Sequence, residues 1–144
     1  MAQDPVVLGY LGRALSFELT AVQQYLSLAR LLALRGMPQA GEKFRLEAQE
    51  EMEHAERIIG RMLAVGVSPS ATCLRPACVD GTLRELVQHA VKLEREIINF
   101  YAQAVQYCQH KQDYENRIFF EALLAEEQQH ASGISEWWQK TVGD

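Results

Sequence analysis

Two glutamate–histidine pairs, Glu51-x-x-His54 and Glu127-x-x-His130, have the spacing at which a helix turns both side chains to one face. A carboxylate and an imidazole so placed can reach one divalent ion. Oxygen and nitrogen donors of intermediate hardness suit iron or manganese, with zinc as a common substitute. Two further glutamates enlarge the set. Glu18 is the only acidic residue between Asp4 and Glu42, and it falls inside an apolar stripe with Ala14, Leu15, Val22 and Tyr25. Glu94 stands likewise between Ala90, Ile97 and Tyr101, while Lys92 and Arg95 point away from that stripe. A carboxylate buried without compensation is disfavoured by roughly several kcal/mol, so a positive partner is required. Four carboxylates with neutral imidazoles carry −4, which two divalent cations would balance. Glu18, Glu51, His54, Glu94, Glu127 and His130 therefore read as a di-metal carboxylate site, with Glu51 and Glu127 placed to bridge both ions. A solvated charged face with two surface histidines is the bland alternative, and it leaves the isolation of Glu18 unexplained. Tyr25 and Tyr101 each follow a first-helix glutamate by seven residues, two turns along the same face. As buried phenols they could orient carboxylates or supply an electron; equally, they could be plain core tyrosines.

The elements that must position these residues are helices. Asp4-Pro5 opens the first, which runs to about Arg35 and stops at Gly36-Met37-Pro38. A second extends from about Gln39 to Val65, ending at Gly66. Residues 66 to 81, with Gly66, Pro69, Pro76 and Gly81, form one long connection. Asp80-Gly81-Thr82 starts a third helix running to about His110. Lys111-Gln112-Asp113 breaks the chain before a fourth that reaches about Lys140. Leu11, Leu15, Val22, Tyr25 and Ala29 recur at helical steps, as do Leu83, Leu86, Ala90, Ile97, Tyr101 and Ala104, and no alternating run suggests a strand. The expectation is an all-α, four-helix bundle with one long crossover between helices two and three. An internal repeat at an offset of 76 supports it: Glu50-Glu51-Met52-Glu53-His54-Ala55 matches Glu126-Glu127-Gln128-Gln129-His130-Ala131, Glu18 falls on Glu94, Tyr25 on Tyr101, and Phe44 on Phe120.

A chain of 144 residues fits a single domain, taken as residues 1–144. Its formal net charge of −5 argues against a nucleic-acid partner. No apolar run is long enough to span a membrane, and the amino terminus carries no export signal, so a cytoplasmic protein is expected. A second apolar stripe on helix two, Ala48, Met52, Ala55 and Ile59, with Leu19 and Leu26 on helix one, calls for a partner, most simply a two-fold copy. Met52 would then approach its mate, and a thioether is a soft ligand for haem iron, although methionine at helical spacing commonly just packs. Cys73 and Cys78 in the crossover read as ordinary loop thiols, a disulfide or a stray metal site being the alternatives. Cys108 reads as a small packing residue.

These residues together resemble bacterioferritin. The six ligands, Met52 beside Glu51, the crossover, the Glu18-Leu19-Thr20-Ala21 run followed by Gln24-Tyr25, and His54-Ala55 followed by Arg57 carry the resemblance from about residue 1 to residue 140. It implies iron storage and detoxification by a ferroxidase, with two Fe per subunit oxidised by oxygen or hydrogen peroxide. It also implies haem b shared across a two-fold homodimer by paired Met52 residues, a 24-subunit cage, and a reducing ferredoxin-like partner. Family members usually continue into a short fifth helix, whereas this sequence ends at Asp144; the dimer is therefore the firmer expectation than the cage. Where some members hold an extra inner-surface iron with a histidine, Leu46 stands here, leaving Glu47 and Glu50 to help mineral nucleation. Two other functions stay open: a dimeric di-iron peroxidase or oxidase without storage, and a non-catalytic haem- or metal-binding bundle.

Overall fold

A computed structural model describes residues 3–142; the readings of the extreme amino terminus and of the end at Asp144 lie outside the described residues. Among the described residues there are four helices and no strand: α1 (Pro5–Leu34), α2 (Pro38–Ala64), α3 (Leu83–His110) and α4 (Tyr114–Val142). Each bound lies within two residues of its sequence expectation. The helices form two hairpins, α1–α2 and α3–α4.

Local chemistry fixes the ends. Asp4 caps α1, its Oδ1 accepting the Val6 N–H at 2.8 Å, with Pro5 in the first turn. A capping box starts α3: the Glu85 N–H donates to Thr82 Oγ1 and the Thr82 N–H donates to Glu85 Oε1, both at 3.2 Å. The two hairpin turns repeat each other at the same offset of 76 as the sequence. At the end of α1 the Met37 N–H reaches back to Leu32 O at 2.8 Å, across Gly36 at φ 78°. At the end of α3 the Asp113 N–H reaches Cys108 O, also at 2.8 Å, across Gln112 at φ 57°. This is the Schellman closure, for which glycine is the unstrained residue; Gln112 holds the left-handed conformation with a side chain attached.

In the first hairpin Leu11, Leu28, Leu32, Phe44 and Ile58 are fully buried, each contributing about 1.5–3 kcal/mol by leaving water. Gly41 lets α2 come close to α1: a Cβ there would stand 2.7 Å from the Ala29 carbonyl oxygen. The second hairpin buries Leu86, Ile97, Phe120, Leu123 and Ile134, and Cys108 is buried among them as the packing residue expected.

The crossover after α2 is fastened to α1 by a line of side chains to which the sequence reading gave no structural role. Ser16, Thr20 and Gln24, four residues apart on one side of α1, are all buried. Ser16 Oγ accepts the N–H groups of Thr72 and Cys73, and Thr20 Oγ1 accepts that of Arg75. The Gln24 carboxamide accepts the Cys78 N–H at 2.7 Å and donates to the Cys78 carbonyl at 2.9 Å. The signal was a polar i, i+4, i+8 row along one side of α1.

One expectation is corrected. Ala48 and Ala55 do not belong to an exposed second stripe on α2; they are 2% and 1% exposed. Methyl groups at the rim of the α1–α2 contact are covered, whereas the longer Met52 on the same side stands 42% exposed. The outward apolar face of this hairpin consists instead of Met52, Leu26 and Leu63, with Leu19 and Ile59 half-buried.

Candidate metal centre

Glutamate is among the residues least often buried, because removing its charge from water must be compensated. Here Glu18, Glu51, Glu94 and Glu127 are each 0% exposed, and His54 is 1% exposed. The charge is inside by construction, not by accident of one rotamer: on every helix one face carries both the apolar core residues and the glutamate.

In the first hairpin the structure brings together all three residues expected there. His54 Nδ1 lies 3.2 Å from Glu18 Oε2 across the α1–α2 contact and 3.6 Å from Glu51 Oε1 on its own helix. One ring nitrogen thus faces carboxylates from two elements. In the second hairpin His130 Nδ1 lies 3.7 Å from Glu127 Oε2, and Glu94 is buried on α3 between Ala90, Ile97 and Tyr101. The i, i+3 spacing produces both intrahelical pairs, as helix geometry requires.

The tyrosines also repeat. Tyr25 and Tyr101 are both 0% exposed. Tyr25 tilts against Phe44 at 5.9 Å and 36°, and Tyr101 against Phe120 at 6.2 Å and 35°. The two hairpins, with 76 residues between equivalent positions, thus carry the same tilted aromatic pair and the same buried glutamate.

Outside these interiors the expected residues fare differently. Met52 adjoins Glu51 in sequence but projects on the outer side of α2. Glu50 and Leu46 are exposed. Glu47 is not the surface acid expected: it is buried, and its carboxylate meets Lys43 Nζ at 3.0 Å. An i, i+4 lysine was visible in the sequence and was the clue to that pair. Cys73 and Cys78 are free and exposed.

The donor set fits divalent iron. Each hairpin offers carboxylate oxygens and one imidazole, ligands that iron and manganese accept, with the glutamates and His54 buried and His130 part-exposed. A pair of triads of this type, one glutamate on the first helix of a hairpin and Glu-x-x-His on the second, is the ligand pattern of di-metal carboxylate bundles.

Comparison with known proteins agrees. The ferritin-like domain family matches residues 8–142. The chain is 32% identical over 130 residues to the bacterioferritin of Mycobacterium leprae, covering 90% of this chain and 82% of that protein. It is 33% identical to the bacterioferritin of Rhodobacter capsulatus, covering 90% and 81%. A 2.6 Å structure of R. capsulatus bacterioferritin, with a metal-free dinuclear site and its haem iron in a crystallographic special position, resembles the chain at a TM-score of 0.90 and 30% identity. That likeness covers 99% of this chain and 91% of the other.

Proposed function

From the premise that this chain belongs to the bacterioferritin family, with the all-α ferritin-like four-helix bundle and its long crossover between α2 and α3, we propose that it oxidises ferrous iron for storage and detoxification. On this reading residues 1–144 make one ferritin-like domain, and Glu18, Glu51, His54, Glu94, Glu127 and His130 hold two Fe²⁺ per subunit. The observation that carries it is the duplicated set of buried glutamates with their histidines, four carboxylates at 0% exposure. Two ferrous ions bring to oxygen or hydrogen peroxide two electrons at once.

The protein's own part is electrostatic and steric. Glu18 and Glu94 supply charge from the first helix of each hairpin; Glu51 and Glu127 supply it from the second. His54 and His130 complete the set as neutral nitrogen donors, so the site is neutral when two Fe²⁺ are present. Tyr25, buried against Phe44, would orient the carboxylates of the first hairpin.

Met52, standing on the outward apolar face, would hold haem b shared between two copies of the chain, its thioether being a soft donor to the haem iron. The internal repeat supports pairing through the first hairpin. Its outward apolar residues Leu19, Leu26, Met52, Ile59 and Leu63 correspond, 76 positions on, to Arg95, Ala102, Gln128, Ser135 and Gln139. One hairpin has the face of an interface and its repeat has a solvated one. The homodimer is the unit from which a 24-subunit cage would be built, and a ferredoxin-like reductant would serve iron release. Among the described residues no helix is long and apolar enough to cross a membrane.

Replacing Glu18 by alanine tests the oxidation directly: iron oxidation falls sharply on this reading, and an unchanged rate refutes it. Replacing Met52 by leucine tests the haem ligand, since an unchanged haem spectrum contradicts the assignment. Native mass measured with iron content separates storage, with many irons per chain in a large assembly, from a dimeric oxidase holding two.

A further inference from the structure

Cys73 and Cys78 are free, exposed and five residues apart on the crossover, and the backbone of each is seated on α1. Cys73 donates its N–H to Ser16 Oγ at 3.3 Å, as Thr72 does at 3.2 Å. Between the cysteines, the Arg75 N–H donates to Thr20 Oγ1 at 3.4 Å and its guanidinium lies over the Phe17 ring. Cys78 is gripped on both its N–H and its carbonyl by Gln24, at 2.7 and 2.9 Å. Ser16 and Gln24 are eight residues apart, so these anchors stand about 12 Å apart along α1 at 1.5 Å per residue. A disulfide needs its two Cα atoms within about 7 Å. The seated crossover and a Cys73–Cys78 disulfide exclude each other.

We propose that Cys73 and Cys78 form a peroxide-reactive dithiol whose oxidation unlatches the crossover from α1. One thiol attacks hydrogen peroxide, the O–O bond breaks, and a sulfenic acid and water form. The second thiol attacks that sulfur, the S–S bond forms, and the hydroxyl leaves as a second water. Overall, two thiols and one hydrogen peroxide give one disulfide and two waters, and two electrons pass from sulfur to peroxide oxygen. The latch opens at its weaker end. The bonds at Ser16 and Thr20 are single-sided and 3.2–3.4 Å long, whereas Gln24 holds Cys78 by two shorter ones. Cys73 therefore lifts away and swings to Cys78, which stays pinned.

The test treats the purified protein with hydrogen peroxide and follows thiol loss, peptide linkage and hydrogen exchange of residues 70–80. The expected result is loss of two hydrogens per chain, a Cys73–Cys78 linked peptide, and faster exchange at the N–H groups of Cys73 and Arg75 while that of Cys78 stays protected. Each side-chain-to-backbone bond shifts an opening equilibrium by roughly fivefold, so Ser16→Ala, which removes two, speeds closure of the sulfenic acid to the disulfide by about 25-fold. Cys73→Ser abolishes the exchange change. Stable sulfinic acid or interchain disulfides in place of the intrachain link, unchanged exchange in the linked protein, or an unaltered rate in Ser16→Ala each overturns the proposal.

Discussion

Two glycines on α2 offer the same substitution in opposite surroundings. At Gly60 an added Cβ meets nothing within 4 Å, so Gly60→Ala gains only the lower backbone entropy of the unfolded chain, about 0.5–1 kcal/mol of stabilisation. At Gly41 the same methyl would lie 2.7 Å from Ala29 O and 3.4 Å from Ala33 N. Both are backbone atoms of α1, so relief needs the helices themselves to part by several tenths of an ångström. Such overpacking costs about 1–3 kcal/mol, and subtracting the same helix-propensity gain leaves Gly41→Ala destabilised by about 1–2 kcal/mol. For a domain of this size, 1 kcal/mol moves the midpoint by about 3–4 °C. Thermal melts at one fixed protein concentration should therefore show Gly60→Ala melting about 2–4 °C higher and Gly41→Ala about 3–8 °C lower than the parent. If both variants shift upward together, the close approach of α1 and α2 at Gly41 does not exist.

Gln112→Gly relieves the left-handed turn at φ 57° and is expected to stabilise by about 0.5–1 kcal/mol, read as a higher urea midpoint with an unchanged slope. Gly36→Ala, in the matching turn at φ 78°, should lower the same midpoint by a similar amount. Hydrogen bonds from Thr82, first of all from its backbone N–H, hold the Glu85 carboxyl below its ordinary value. Its folded pKa is thus lower than its unfolded one, so the capping box contributes fully above the ordinary carboxylate range and loses that contribution as pH falls through the depressed value. Glu85→Gln should accordingly lower the neutral plateau of a melting-temperature profile and leave its acid end unmoved, which flattens the acid limb. Tyr25→Phe is expected to leave the fold intact, since Phe44 still packs on the ring, while slowing iron oxidation; equal rates for the two proteins would make Tyr25 a packing residue.

The helices were legible because their punctuation is chemical: Asp4-Pro5, Gly36-Met37-Pro38 and Asp80-Gly81-Thr82 each stand in the structure at the helix ends their types suggest. So were the four buried glutamates, because a single glutamate in a long apolar stripe has no surface explanation. Periodicity was less informative at the rim of a helix contact. It put Ala48, Met52, Ala55 and Ile59 on one side of α2, but side-chain length, not angle, decides which of them a neighbouring helix covers. It was likewise silent on Gly41, whose role depends on a carbonyl twelve positions away on another helix. The fastening of the crossover by Ser16, Thr20 and Gln24 was present as a polar row, yet nothing in that row says that its partner is backbone from a segment some 55 residues on.

The account stands or falls on whether the two triads handle iron as a pair. Stopped-flow mixing of the apo-protein with graded ferrous iron and oxygen, read as the amount of iron oxidised in the first fast phase, measures this most directly. The expected result is a fast phase that saturates at two irons per chain in the parent protein and is lost in Glu94→Ala. A fast phase of unchanged size in Glu94→Ala, or none in the parent, would contradict it.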